Sequence, residues 1–237
     1  CFPIAAAAVS DKAEDINKLN VFPVPDGDTG TNMSLTLASV VKELSSLPAD
    51  ADMEAIAGAI THGSLMGARG NSGVITSQIL RGVAEGLVDA TDPATSADVA
   101  AALRNAVKVA FKAVMKPTEG TILTVLRDIS TKADSCAKAR ESVEDTLDAI
   151  VVEAYQSVAR TPDLLPVLKE NGVVDSGAFG FAIFLENFVA AALGRTAVKT
   201  EDFAATFDAS ADSAREGALD RVKIEANDDW EGSEYRY

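Results

Sequence analysis

Asp26 and Asp28, separated by one glycine, are the residues of this chain whose types and spacing best suit chemistry. They sit in Asn20-Val-Phe-Pro-Val-Pro-Asp26-Gly-Asp28-Thr-Gly-Thr-Asn32-Met33. Close carboxylates repel unless a cation lies between them. Hard oxygen ligands on a preset loop suit Mg²⁺, which keeps waters and shares its shell with phosphates. Pro23 and Pro25 fix their own φ and restrict the residues before them, so the approach to Asp26 is predicted to be stiff and extended. Gly27 and Gly30 admit conformations that a Cβ would forbid. Thr31 or Asn32 is placed to cap the following helix, whose free N–H groups favour an anion. The stretch reads as a magnesium–nucleotide loop. A polar turn is the plain alternative. An EF-hand does not fit, because Gly30 and Thr31 fall at its fifth and sixth positions and Leu37 stands where the bidentate Glu belongs.

Three further breaks carry glycine and polar groups. Gly67-Ala-Arg-Gly70-Asn71-Ser72-Gly73 precedes an apolar helical run, a physical phosphate cradle without the Gly-Lys-Ser/Thr of a Walker loop. Tight helix packing explains its glycines equally, and a solvated Arg69 is the default. Lys116-Pro-Thr-Glu-Gly-Thr121 interrupts two helical runs, with Thr121 either a cap or a phosphate donor. Gly172-Val-Val-Asp175-Ser-Gly177-Ala opens the last apolar stretch, with Asp175 either its N-cap or a nucleoside contact.

The elements that must position these breaks read as helices. Apolar residues at Met33, Leu37, Val40, Val41 and Leu44 mark one face, and a second run covers about 53–66. Ile75, Ile79, Val83 and Leu87 mark a third. Val99, Leu103, Val107, Phe111 and Val114 mark a fourth, with Ser96 as its expected N-cap. Ile122, Leu126 and Ile129 resume the period, and 141–159 gives another helix. Residues 11–19 read as a short polar helix and 161–168, with two prolines, as a short irregular piece. The stretch 178–193 is apolar nearly all round, which predicts a central buried helix. Short loops and almost no strand signal argue for an all-α, antiparallel, up-and-down eight-helix barrel or bundle. Alternate loops then share one end, so the four breaks can form one site.

The bulk numbers agree. The 237 residues suit one large domain plus an extension. Expected are one large domain over 1–195 and, over 196–237, an acidic linker with the start of a following domain. Val222-Lys-Ile-Glu225 alternates like a strand, and a start at Cys1 reads as an excised fragment. A net charge of −15 argues against nucleic acid or an anionic membrane as the main partner. Cys1 and Cys136 form no disulfide framework or Cys/His cluster, so zinc is not expected and a reducing cytoplasm fits best. No apolar run approaches the ~20 residues that span a bilayer. His62, the one histidine, reads as a surface residue.

Together the four motifs resemble the N-terminal domain of the fatty acid kinase A family, which is similar to the L subunit of bacterial dihydroxyacetone kinase (DhaL). The resemblance covers roughly residues 11–195. It implies an eight-helix barrel with Mg²⁺-ATP at one end. It makes Asp26 and Asp28 the catalytic ligands of two Mg²⁺ ions, with Asn20 in place of a third upstream aspartate. It makes Thr29, Thr31, Asn32, Gly70, Asn71, Ser72, Gly73 and Thr121 nucleotide contacts, and sets Asp175 and Gly177 on the ribose and adenine side. DhaL proteins carry a His where Thr29 stands, which favours the fatty acid kinase branch. The implied reaction passes the γ-phosphoryl of ATP to a fatty acid carboxylate presented by a DegV-type carrier protein. The competing readings are a dihydroxyacetone-type kinase and a non-catalytic nucleotide-binding module. A homodimer follows only if an apolar helix face stays uncovered.

Overall fold

A computed structural model describes residues 1–195. The acidic segment 196–237, with the strand and the domain edge expected there, lies outside the described residues. Those described form ten helices and no strand: α1 (Phe2–Asp11), α2 (Ala13–Lys18), α3 (Thr29–Ser45), α4 (Met53–Gly67), α5 (Gly70–Leu87), α6 (Ser96–Ala113), α7 (Ile122–Ala139), α8 (Val143–Leu164), α9 (Pro166–Asn171) and α10 (Ser176–Ala192). Eight have ten residues or more, while α2 and α9 have 6 each.

The eight long helices form a closed ring. From α3 to α8 each packs on the next in sequence; α8 then meets α10, α10 meets α1, and α1 returns to α3. The all-α up-and-down barrel expected from periodicity is therefore the architecture observed. The core is aliphatic, with Met33, Leu37, Ile79, Leu126, Ile129 and Ile150 almost wholly buried. Close approach of α5 and α6 needs glycine: a Cβ on Gly82 would lie 2.4 Å from Ala106 Cα. Helix α10 packs against α1, α2, α3, α7 and α8, the central role that its apolar sequence implies.

Several local expectations are corrected. Helix α1 was not anticipated: its alanine run has no polar face to set a period, yet Phe2, Ala5, Ala6 and Val9 are buried and Phe2 packs edge-on to Phe184. Helix α6 is capped by Thr95 in a capping box with Asp98, one residue before the expected Ser96. Helix α8 runs through Pro162 to Leu164, so the expected irregular piece 161–168 is mostly helical. A proline in a helix interior leaves the carbonyl four residues back without its N–H. Here that carbonyl, on Val158, accepts the Thr161 hydroxyl at 2.7 Å instead.

Candidate functional site

The N-termini of α3, α5, α7 and α10 and the C-terminal end of α6 meet at one cavity of about 420 Å³. That volume suits a small-molecule ligand. Its walls bring together Asn20, Asp26, Asp28, Thr29, Gly70, Asn71, Ser72, Thr121, Asp175 and Gly177, which are ten of the thirteen site residues expected from sequence. Thr31, Asn32 and Gly73 do not line it. Thr31 turns to Asn17, whose amide donates to its hydroxyl at 3.0 Å. Asn32 and Gly73 stand behind the wall: a Cβ on Gly70 would fall 2.4 Å from Asn32 Nδ2, and one on Gly73 would fall 2.5 Å from Thr36 Oγ1.

The helix ends explain how each wall is held. At the far end of the barrel α4, α6 and α8 are capped by Asp52, Thr95 and Ser142 side chains. At the cavity the residues before α3, α5 and α7 give no such bond. Helix α3 begins at Thr29, so Thr31 and Asn32 lie in its first turn rather than cap it. Its cap is Asn17 on α2, whose Oδ1 accepts the N–H groups of Gly30 at 2.8 Å and Thr31 at 3.2 Å. Helix α5 begins at Gly70, so the expected glycine loop is partly a helical first turn. The N–H groups of Gly70, Asn71 and Ser72 have no intrahelical partner, which suits an anion.

Asp175 joins two of these ends. Its Oδ2 accepts Ala178 N–H at 2.8 Å, capping α10, and Ile122 N–H at 3.1 Å, capping α7. Burial pushes its carboxyl up to about 6 from 3.8, and the two N–H bonds pull the other way without overcoming it. The cap reading of Asp175 is thus observed, at the cavity's floor. Thr29 links the remaining ends: Ser176 donates to its hydroxyl at 3.2 Å and Ser72 to its carbonyl at 3.4 Å.

On the open side Gly27 takes a positive φ of 66° between the two aspartates, and the Phe22–Pro23 peptide is cis. Gly30 is helical instead. Its lack of a Cβ serves packing, since one would lie 2.3 Å from the Ala13 carbonyl oxygen. Asp26 is exposed, Asp28 half-buried, and the buried Asn20 donates its amide to Asp26 Oδ1 at 2.7 Å.

The model of the DAK2 domain matches residues 23–190. This chain belongs to the DAK2-domain family. The DAK2 match takes in Asp26, Asp28 and the three later breaks that line the cavity, while Asn20 lies just before it. Among curated relatives, the chain is 47% identical over 191 residues to Protein YloV of Bacillus subtilis, covering 81% of this chain and 34% of that protein. It is 44% identical over 187 residues to an uncharacterized protein of Mycoplasma pneumoniae, covering 76% and 33%. The chain therefore spans about a third of the relatives it matches. A solved structure of the dihydroxyacetone kinase of C. freundii superposes with a TM-score of 0.51 at 20% identity, over 80% of this chain and 33% of that one, which shows the shared helical fold.

The DAK2 cavity also depends on residues that the sequence does not single out, two of them behind its walls and two in its lining. Asn17 and Thr161 give no sequence signal, being polar residues on helices whose partners are distant in the chain. Ser176 and Lys116 sat within the quoted motifs without a role. Among the described residues no three His, Cys, Asp or Glu side chains gather as a self-sufficient metal cluster. Two aspartates with one amide beside them fit a cation that completes its shell with water and phosphate oxygens.

Proposed function

We propose that this DAK2 chain is the nucleotide-binding domain of a cytoplasmic fatty acid kinase. It binds Mg²⁺-ATP, with two metal ions, and passes the γ-phosphoryl group to a fatty acid carboxylate presented by a DegV-type carrier. The observation that supports the nucleotide reading is the gathering of Asn20, Asp26, Asp28, Asn71, Ser72, Thr121 and Asp175, from four separate breaks, around one cavity. Asp26 and Asp28 would hold the metal, with Asn20 fixing Asp26 or ligating through its amide oxygen. The α5 N–H groups and the Ser72 hydroxyl would face phosphate, and Asp175 and Gly177 the nucleoside. The fatty acid branch is favoured by the forms Pro23-Val-Pro25 and Gly70-Asn-Ser-Gly73. Among the described residues no helix is long and apolar enough to cross a membrane.

Bound magnesium would supply charge neutralisation on the phosphates. The chain's own part is to orient and to exclude water. A carboxylate oxygen of the acceptor attacks the γ-phosphorus as the bond to the bridging oxygen breaks, giving acyl phosphate and ADP. The carboxylate is already ionised at pH 7, so no general base is needed.

Calorimetric titration of ATP, with and without Mg²⁺, tests this on the chain and on Asp26→Ala/Asp28→Ala. Magnesium-dependent binding lost in the double variant supports the site. Binding indifferent to the substitutions overturns it. Phosphoryl transfer to a carrier-bound fatty acid, compared with dihydroxyacetone, then decides the acceptor.

A further inference from the structure

The cavity sets one cation among three carboxylates. Lys116 is the cationic side chain among its lining residues, which include Asp26, Asp28 and Asp175. It stands in the segment between α6 and α7, is exposed, and among the described residues takes no ion pair or side-chain hydrogen bond. Nothing among the described residues occupies its ammonium.

The cavity is graded from mouth to floor. Asp175, Ser176, Gly177, Ile122 and Leu123 at one side are buried, while Asp26, Asn71, Met115 and Lys116 are exposed. An acceptor on a separate carrier can reach only the mouth. The phosphate that leaves must therefore lie at the mouth, with the nucleoside toward the floor. The acceptor, the nucleotide and the aspartates are all anionic, so a cation at the mouth, in addition to the magnesium that the aspartates would hold, eases the approach. An ammonium is a compact charge with three rotatable donors and suits a phosphate whose oxygens shift during transfer.

We infer that Lys116 binds the terminal phosphate of the nucleotide and stays on it during transfer, which makes it a further catalytic residue. This rests on the proposed function above, both the bound nucleotide and the acceptor on a separate carrier. Lys116 donates hydrogen bonds and keeps its proton throughout; the bonds made and broken are those of the transfer itself. Because its ammonium has no partner among the described residues, the cost of removing it falls on the ligand and not on the barrel.

The test is titration of Mg²⁺-ATP and Mg²⁺-ADP into the chain, Lys116→Ala and Lys116→Arg, with thermal midpoints confirming that each is folded. The alanine variant is expected to weaken Mg²⁺-ATP roughly tenfold or more and to leave Mg²⁺-ADP unchanged. The arginine variant is expected to recover most of the loss. Unchanged Mg²⁺-ATP binding in the alanine variant makes Lys116 a solvated surface residue and overturns the inference alone. Equal losses for both nucleotides overturn the assignment to the terminal phosphate. Binding of neither nucleotide by the unsubstituted chain overturns the nucleotide reading, and this inference with it.

Discussion

The hydroxyl of Thr161 accepts the backbone N–H of Asp175 at 3.1 Å while donating to the Val158 carbonyl. One wholly buried hydroxyl thus repairs the gap that Pro162 leaves in α8 and anchors the entrance to α10. Thr161→Val keeps the shape and removes both bonds. It is expected to destabilise the chain by about 2 kcal/mol, since two buried backbone groups lose their partner. Urea unfolding would show a lower midpoint at unchanged slope.

Asp175 makes stability depend on pH in an uncommon direction. Its folded carboxyl titrates near 6, above the ordinary 3.8, so between these values the folded state holds a proton that the unfolded chain has lost. Its contribution is full below pH 3.8 and is lost as pH rises through 6. Asp175→Asn keeps an acceptor for the two N–H groups and removes the titration. From pH 4 to pH 7 the variant should gain about 2 kcal/mol relative to the parent. Unfolding free energies across that range check this. Asp98 and Glu119, held below their usual range chiefly by Thr95 and Arg127, act with the opposite sign in both proteins and cancel in the difference.

Gly27 and Gly30 should part company under the same substitution. Gly27→Ala meets open space and bears only the left-handed backbone cost, about 1 kcal/mol. Gly30→Ala drives a methyl into the Ala13 backbone and should cost about 3 kcal/mol or more. Thermal midpoints of the two variants read the difference.

Asn17→Ala removes the cap of α3 from outside the helix. A loss of about 1 kcal/mol is expected. Faster amide exchange at Gly30 and Thr31 would locate that loss at the cavity wall.

Much of this architecture was legible in sequence because amphipathic period survives in a chain read alone. The faces of α3, α5, α6 and α7 followed from it, and so did the buried character of α10. Helix α1 escaped because four alanines carry no face, and the end of α8 escaped because Thr161 supplies what Pro162 withholds. The four polar breaks were legible as a group, since antiparallel helices bring alternate loops to one end. The supports of the site were not. Asn17, Thr161 and the backing positions Asn32 and Gly73 act across tertiary contacts, which local spacing does not encode.

The helix ends at the cavity also set its electrostatic field. Four helix N-termini converge on the cavity, and each brings a partial positive charge of about half a unit from its backbone. The lining side chains bring the reverse, three carboxylates against one ammonium. Backbone field and side-chain field oppose each other, so a lone anion meets the aspartates and a lone cation meets the helix ends. On the proposed reading, metal and polyphosphate satisfy both fields only together. Each should then tighten the other's grip by the same factor, and the cavity would work as a coincidence detector for the pair.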